Sequence, residues 1–248
     1  MKTQRSRFEK RKTHLFLAML FVALGLPATA QWSVGISGGY AYNHFDYDPQ
    51  YMEGLHFKGH HGFAIDVPVK YQFNDWLGLS SGLSFQKKGY VLDGSCVLQG
   101  YAVFFYENLK RHDSYLVIPV CAEFTLNTKN WYFFLDAGGY VGCWLSSAYE
   151  YQTIGTFNGL RFTLSFREPQ TQQKEWMAES DRRIECGLAA GLGLQWHVFN
   201  GLSLLVTSRC HYALTSQQRD YQIKHFPSRN VTLAIQAGLM YNLRQTKR

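Results

Sequence analysis

The sequence predicts an all-β protein, an eight-stranded antiparallel up-and-down transmembrane β-barrel. Three observations point there. Apolar side chains recur at every second position over long segments, which is a strand signal and not a helix signal. The connections between those segments alternate between long and short. The chain is rich in aromatic residues, with sixteen Tyr, eighteen Phe and six Trp, and most of the Trp fall at segment ends. A strand that crosses a bilayer needs about 9–11 residues, against the five or six usual in soluble sheets.

The first thirty residues stand apart. Lys2, Arg5, Arg7, Lys10, Arg11 and Lys12 form a basic leader, Leu15–Leu26 is a short apolar run, and Ala28-Thr29-Ala30 is a small-residue cleavage pattern. Together they predict a secretory signal peptide over 1–30 and a mature β-barrel domain over 31–248. The apolar run is too short to span a bilayer as a helix. The leader holds six of the 25 basic residues and one of the 18 acidic ones, so the rest carries 19 against 17. The basic pI therefore gives no reason to expect nucleic acid. No mature stretch reaches ~18 consecutive apolar residues, which excludes a helical membrane protein. The five cysteines (Cys96, Cys121, Cys143, Cys186, Cys210) are odd in number and widely spaced, so they predict neither a disulfide framework nor a metal site. Cys143, Cys186 and Cys210 fall on outward faces, where cysteine acts as a small apolar residue.

The first strand covers Trp32–Phe45, with Trp32, Val34, Ile36, Tyr40 and Tyr42 on one face. After a polar loop at 46–59, the second strand, Gly62–Phe73, turns Phe63, Ile65, Val67, Val69 and Tyr71 outward and Asp66, Pro68, Lys70 and Gln72 inward. Asn74-Asp75-Trp76 is a tight turn into the third strand, Leu77–Phe85. Residues 87–113 form a long connection, with strand extensions expected around Tyr101–Tyr106. The fourth strand, Tyr115–Leu126, points Leu116, Ile118, Val120 and Phe124 out and Glu123 in. The turn Asn127–Asn130 leads to the fifth, Trp131–Ser147, with Asp136 and Tyr140 inward. Residues 148–182 are the longest connection. Arg183–Ser216 then forms a hairpin with alternation on both arms. A three-residue loop, Phe199-Asn200-Gly201, keeps both apolar faces together, with Gly201 taking the left-handed position. A loop at Ser216–Arg229 precedes the last strand, Val231–Leu243.

The short turns thus share one end with both chain termini, and the long connections share the other. Bacterial outer-membrane barrels have this layout, with short turns on the periplasmic side. Trp32, Trp76, Trp131 and Trp196 sit at the predicted periplasmic ends, where interfacial aromatics belong. The predicted location is the bacterial outer membrane. Pro68 and Pro119 each delete a ladder donor, which predicts a bulge or bend at each.

The pieces Val67–Phe73 (VPVKYQF), Tyr115–Phe124 (YLVIPVCAEF) and Phe134–Gly142 (FLDAGGYVG) resemble the PorT-like outer-membrane β-barrel family. The resemblance runs over about residues 31–243. Glu123 departs from it, since relatives carry a basic residue before the aromatic. The resemblance implies a barrel with a role linked to type IX protein secretion.

The residues that could carry chemistry are the inward charges Asp66, Lys70, Glu123, Asp136, Glu185 and Arg209, with His197 and His211. A barrel of eight strands is narrow enough for its side chains to fill, so these charges are expected to pair into a structural plug. Depth from the turns matches Asp66 with Arg209 and Lys70 with Glu123. The alternatives are a small-solute channel and a lipid A-modifying enzyme. The enzyme needs a nucleophile, a histidine and a carboxylate on the outward face near the outer leaflet, and His197 and His211 both face the lumen. His60 and His61 are adjacent in a strand, so they are expected on opposite faces and not as a metal pair. Asn230-Val231-Thr232 lies in a strand and carries no weight as a glycosylation site. No cofactor, metal or catalytic residue is predicted. The expected partners are outer-membrane lipid, lipopolysaccharide contacted by the basic residues of 161–183, and other envelope or secretion proteins.

Overall fold

The computed structural model describes residues 31–46, 55–98, 102–128, 130–157, 160–167, 181–199, 201–217 and 229–243. The predicted leader lies outside them. The described residues form nine strands: β1 Gln31–Asp46, β2 Leu55–Gln72, β3 Leu77–Leu98, β4 Ala102–Asn127, β5 Trp131–Phe157, β6 Leu160–Arg167, β7 Ile184–Phe199, β8 Leu202–Ala213 and β9 Arg229–Asn242. Eight of them close a ring in the order β4-β3-β2-β1-β9-β8-β7-β5, and β5 pairs back onto β4. Every pairing is antiparallel. The first and last strands meet, from Ser33↔Asn242 to Asp46↔Arg229. β6 stands outside the ring and pairs with the far end of β5.

The alternation decides which face meets lipid. Leu126, Phe124, Val120 and Ile118 on β4 are exposed on the outer wall, as are Leu135, Leu192, Val206 and Ile235 around the ring. Large apolar residues exposed in such numbers have a solvent other than water. The outward apolar run extends from Leu77 to Phe85 on β3 and from Leu126 to Leu116 on β4. Those lengths match the roughly 9–11 residues that cross hydrocarbon. Among the described residues no helix is long and apolar enough to cross a membrane. At the end with the short turns, Trp131 stacks on Trp196 with centroids 5.4 Å apart, and Trp32 meets Tyr71 at 4.7 Å. These rings are half apolar and half polar, which suits an interface.

Three expectations are corrected. The described parts of the connections at 87–113 and 148–182 are largely strand: β3 continues to Leu98, β4 begins at Ala102 and takes in most of the extension expected around 101–106, and β5 runs to Phe157 before returning as β6. Above the bilayer both faces are wet, so lipid no longer imposes alternation, although the hydrogen-bonded ladder continues. At the β7–β8 turn, Phe199 pairs with Leu202, and a register shift lies between His197 and Phe199. A bulge at Val198, not a longer loop, restores the phase of the two apolar faces. Gly201, at φ 86°, holds the left-handed position. Finally, neither proline shifts the register. Pro68 pairs with Gly82 on β3 while the ladder to β1 skips from Val69 to Asp66. Pro119 pairs with Tyr140 on β5 while the ladder to β3 skips from Val120 to Val117. Each interrupts one side only.

Inside, one wall is nearly bare. β7 presents Gly187, Ala189, Gly191 and Gly193 to the lumen, and long side chains from neighbouring strands use that space. A Cβ at Gly187 would lie 2.6 Å from the Tyr140 ring, and one at Gly193 would lie 2.2 Å from Phe134. Gly138 also faces inward, where a Cβ would lie 2.2 Å from the Val120 carbonyl oxygen. Its outward neighbour Gly139 would meet only the Gly187 carbonyl, at 3.4 Å. Gly138→Ala is therefore expected to destabilise the barrel by about 3 kcal/mol or more, and Gly139→Ala by under about 1 kcal/mol. Urea titration of the folded, gel-shifted band in detergent measures both.

Candidate functional site

The lumen is filled in layers, described here from the short-turn end. Tyr132 donates to Gln72 Oε1 at 2.6 Å. Above it Phe134, Leu205 and Met240 make a small apolar floor. Lys70 Nζ lies 2.7 Å from Glu123 Oε2 and 3.2 Å from the centre of the Phe134 ring. At the next level Arg209 is paired with Asp136, which also accepts from Ser80 Oγ at 3.3 Å. Asp66 accepts from Ser84 Oγ. Higher still, Lys88 Nζ lies 2.6 Å from Glu185 Oε1, and Tyr140 and Asn230 donate to the same carboxylate at 2.9 and 2.7 Å. The top layer is Asp113. It accepts from Arg111 Nε at 2.9 Å, Ser147 Oγ at 2.6 Å and Gln217 Nε2 at 3.0 Å. The Arg111 guanidinium also lies 4.6 Å from the Trp144 ring.

All six inward charges singled out in the sequence line this lumen. Lys70 and Glu123 meet at the level that strand depth gives. Arg209 does not take Asp66: it reaches across Gly191, whose missing side chain leaves the Asp136 carboxylate accessible. The partner of Glu185, Lys88, and the whole Arg111–Asp113 layer fall in the segment expected as a connection. Counting every second residue onward from Ser84 and backward from Tyr115 would have placed them inside, had the strands been carried that far. Of the two histidines expected in the lumen, His211 is buried with its ring edge-on to Tyr140 at 5.0 Å. His197 sits at the short-turn mouth and hydrogen-bonds Ser203 at 2.8 Å. Burying this many charges is costly unless each is paired and hydrogen-bonded. The chemistry on show is charge neutralisation. Among the described residues no group of three or more metal-ligating side chains is assembled.

The outer rim differs from expectation. The β2–β3 register shifts between Gly59 and Ala64, and this bulge re-aims the two adjacent histidines. His61 hydrogen-bonds Tyr40, whereas His60 crosses β3 to bring Nε2 within 3.0 Å of His112 Nδ1 on β4. Both histidines of this pair lie above the apolar belt. Burial, then the neighbouring His112, His61 and Lys110, hold His60 down to about 4. Burial also lowers His112, against the pull of Glu150.

The outer membrane protein beta-barrel domain family matches residues 22–219. The chain belongs to that family. Its place is the outer membrane, with the apolar-coated parts of the eight ring strands crossing the bilayer. Among solved structures, this outer-membrane barrel is similar to Ail, the attachment invasion locus protein of Yersinia pestis, at 15% identity and TM-score 0.36 over 84% of this chain and 98% of that one. It is also similar to OprG of Pseudomonas aeruginosa, at 12%, TM-score 0.42, 86% and 96%. Neisserial surface protein A is a third, at 13%, TM-score 0.41, 86% and 97%. Likeness at that level says nothing about what this barrel binds. Curated proteins give no match.

Two expectations follow. Glu123→Gln strands the Lys70 ammonium in the lumen and should cost about 3–5 kcal/mol, while the apolar pair Lys70→Met with Glu123→Leu should recover most of that loss. Urea midpoints of the three proteins decide. The second concerns pH. A histidine held below its unfolded value of about 6.5 takes up its proton more readily in the opened chain. The stability it confers is complete above that value and is lost as pH falls towards 4. Amide exchange at Gly59–Gly62 and Lys87–Gly89, corrected for intrinsic rates, should accelerate from pH 7 to pH 5, and His60→Gln should flatten that dependence.

Proposed function

We propose that this outer-membrane barrel is a closed, non-catalytic envelope protein that works through contacts made by its outer hairpins and its lipid-facing wall. One observation carries the proposal. Ion pairs and hydrogen bonds occupy the axis at successive levels, from Lys70–Glu123 through Arg209–Asp136 and Lys88–Glu185 to Arg111–Asp113. A solute path needs continuous open volume along that axis, and these side chains stand across it. Three of the four pairs join different strands: Lys70 on β2 reaches Glu123 on β4, Lys88 on β3 reaches Glu185 on β7, and Arg209 on β8 reaches Asp136 on β5. The plug therefore stabilises the closed shape and leaves function to the exterior.

The exterior offers long hairpins. β3 and β4 form one, β5 and β6 another, and both project beyond the belt on the side away from the short turns. Such projections suit docking of other envelope proteins. The PorT-like segments at Val67–Phe73, Tyr115–Phe124 and Phe134–Gly142 favour a secretion-linked partner, reached after export by a cleaved leader. The catalytic alternative draws no support from His197 or His211, since neither has a nucleophile and a carboxylate beside it on the lipid-facing wall.

The purified mature barrel in planar bilayers should show no stepwise conductance of porin size, and such steps would sink the closed-lumen reading. Photo-crosslinkers placed in 87–113 and 148–182 should trap envelope proteins in cells. Trapping none at either hairpin would leave the barrel without the partner proposed for it.

A further inference from the structure

Just above the apolar belt, the lipid-facing wall carries a group of hydrogen-bond donors on three neighbouring strands. Lys87, Ser114 and Ser146 are register partners across β3, β4 and β5. Lys87 Nζ donates to Ser114 Oγ at 2.7 Å, and Ser146 Oγ donates to the same oxygen at 3.1 Å. The β4–β5 register shifts between Ser114 and Tyr115, as Tyr115 pairs with Trp144 and Ser114 with Ser146. The extra residue, Leu145, brings Ser146 onto the outer face. One step further from the belt, the His60–His112 pair lies over Gly89. A Cβ there would stand 3.4 Å from His60 Cγ and 1.9 Å from the Arg111 carbonyl oxygen, and φ is 154°. Only glycine gives the imidazole this route. Lys110 follows His112 on the same face of β4 and is exposed.

These groups are built in, not scattered over a surface. Ser114 is 4% exposed and His60 7%. His60 Nδ1 is buried without a hydrogen-bond partner among the described residues. Two neutral imidazoles carry two N–H groups and share one between them, so the pair keeps one for a ligand, on His112 Nε2 when His60 Nε2 donates. Of the carboxylates near the rim, Asp113 points into the lumen against Arg111 and Asp93 is paired with Lys58, while Glu150 shares the outer face with Lys110, its register partner, and acts on His112. The Lys87 ammonium, the Ser114 hydroxyl and one imidazole N–H remain, a set that suits an anion. Lys87 already donates to Ser114, so the hydroxyl has no base to receive its proton, and a nucleophilic serine needs one.

Depth selects the anion. Phe63, Phe85 and Leu116 end the unbroken outward apolar runs on β2, β3 and β4. Lys87 and Ser114 come two residues later, about 7 Å further along the strand. That is headgroup level, on the leaflet away from the short turns. Lysine stems reach along apolar surface to such a level while the charge stays among polar groups. We propose that the outer rim of β2–β5 is a phosphate site for an outer-leaflet glycolipid, with Lys87, Ser114 and His112 as its donors and Ser146 orienting Ser114. The proposal rests on outer-membrane placement and is independent of whether the lumen conducts.

The test uses the mature chain in nanodiscs containing bisphosphorylated lipid A, the same lipid A after phosphatase treatment, or phosphatidylcholine with added inorganic phosphate. Native mass spectrometry counts the retained lipid. The phosphorylated form should be retained about tenfold better than the dephosphorylated one, the scale of one charge-assisted contact. Lys87→Gln and His112→Gln should each erase most of that preference while keeping the folded gel shift. Equal retention of the two lipid A forms by the unmodified chain overturns the proposal and needs no variant. Displacement of lipid A by millimolar inorganic phosphate overturns the glycolipid assignment, and release of an acyl chain overturns binding in favour of hydrolysis. Bilayer conductance, measured on the same preparations, separates failure of this site from failure of the closed-lumen reading.

Discussion

In hydrocarbon no water is available to an unpaired amide, and each unsatisfied group costs several kcal/mol. The seam between β4 and β5 answers that constraint, because it turns an eight-stranded sheet with two open edges into a ring with none. The other conspicuous features of the chain depend on the ring. The length of the outward apolar runs follows from the thickness to be crossed, and that face is apolar because its solvent is lipid. The interior must then be filled by what the strands themselves project.

Filling the interior with charge has its own logic. A ring of this size encloses a narrow, largely dehydrated column in which a lone ion is unfavourable. The structure meets this with opposite charges placed side by side, and the Lys70–Glu123, Arg209–Asp136 and Lys88–Glu185 attractions are also ties between strands. Glu185 is the clearest case: one carboxylate holds Lys88 from β3, Tyr140 from β5 and Asn230 from β9. The ties are distributed from one mouth to the other, and no single level carries the interior alone.

Much of this was legible in the sequence, for identifiable reasons. Where lipid bathes one face, alternation is enforced residue by residue, and the spanning parts of all eight ring strands could be placed with their faces. The Lys70–Glu123 level followed from counting along strands. The Arg209 partner did not, because strand depth ignores reach: an arginine beside a glycine wall can bypass the nearest carboxylate. Above the belt the enforcing solvent changes, and the outer halves of β3, β4 and β5 read as connections although their ladders continue. Bulges were the other blind spot. Those at Val198, Leu145 and the His60–His61 step each change which side a residue faces, and a period-two pattern carries no mark of an extra residue until the partner strand is seen.

The bare inner wall of β7 makes the barrel unequal around its circumference. At Gly187, Gly191 and Gly193 the space belongs to side chains rooted elsewhere, so these positions have almost no freedom to vary. The lipid-coated positions between them need only remain oily. Descendants of such a chain can exchange most of their outer coat and still close the same cylinder, while a handful of tiny residues stay put. Kinship in this architecture is therefore recorded in where bulk is forbidden, and overall identity will understate it.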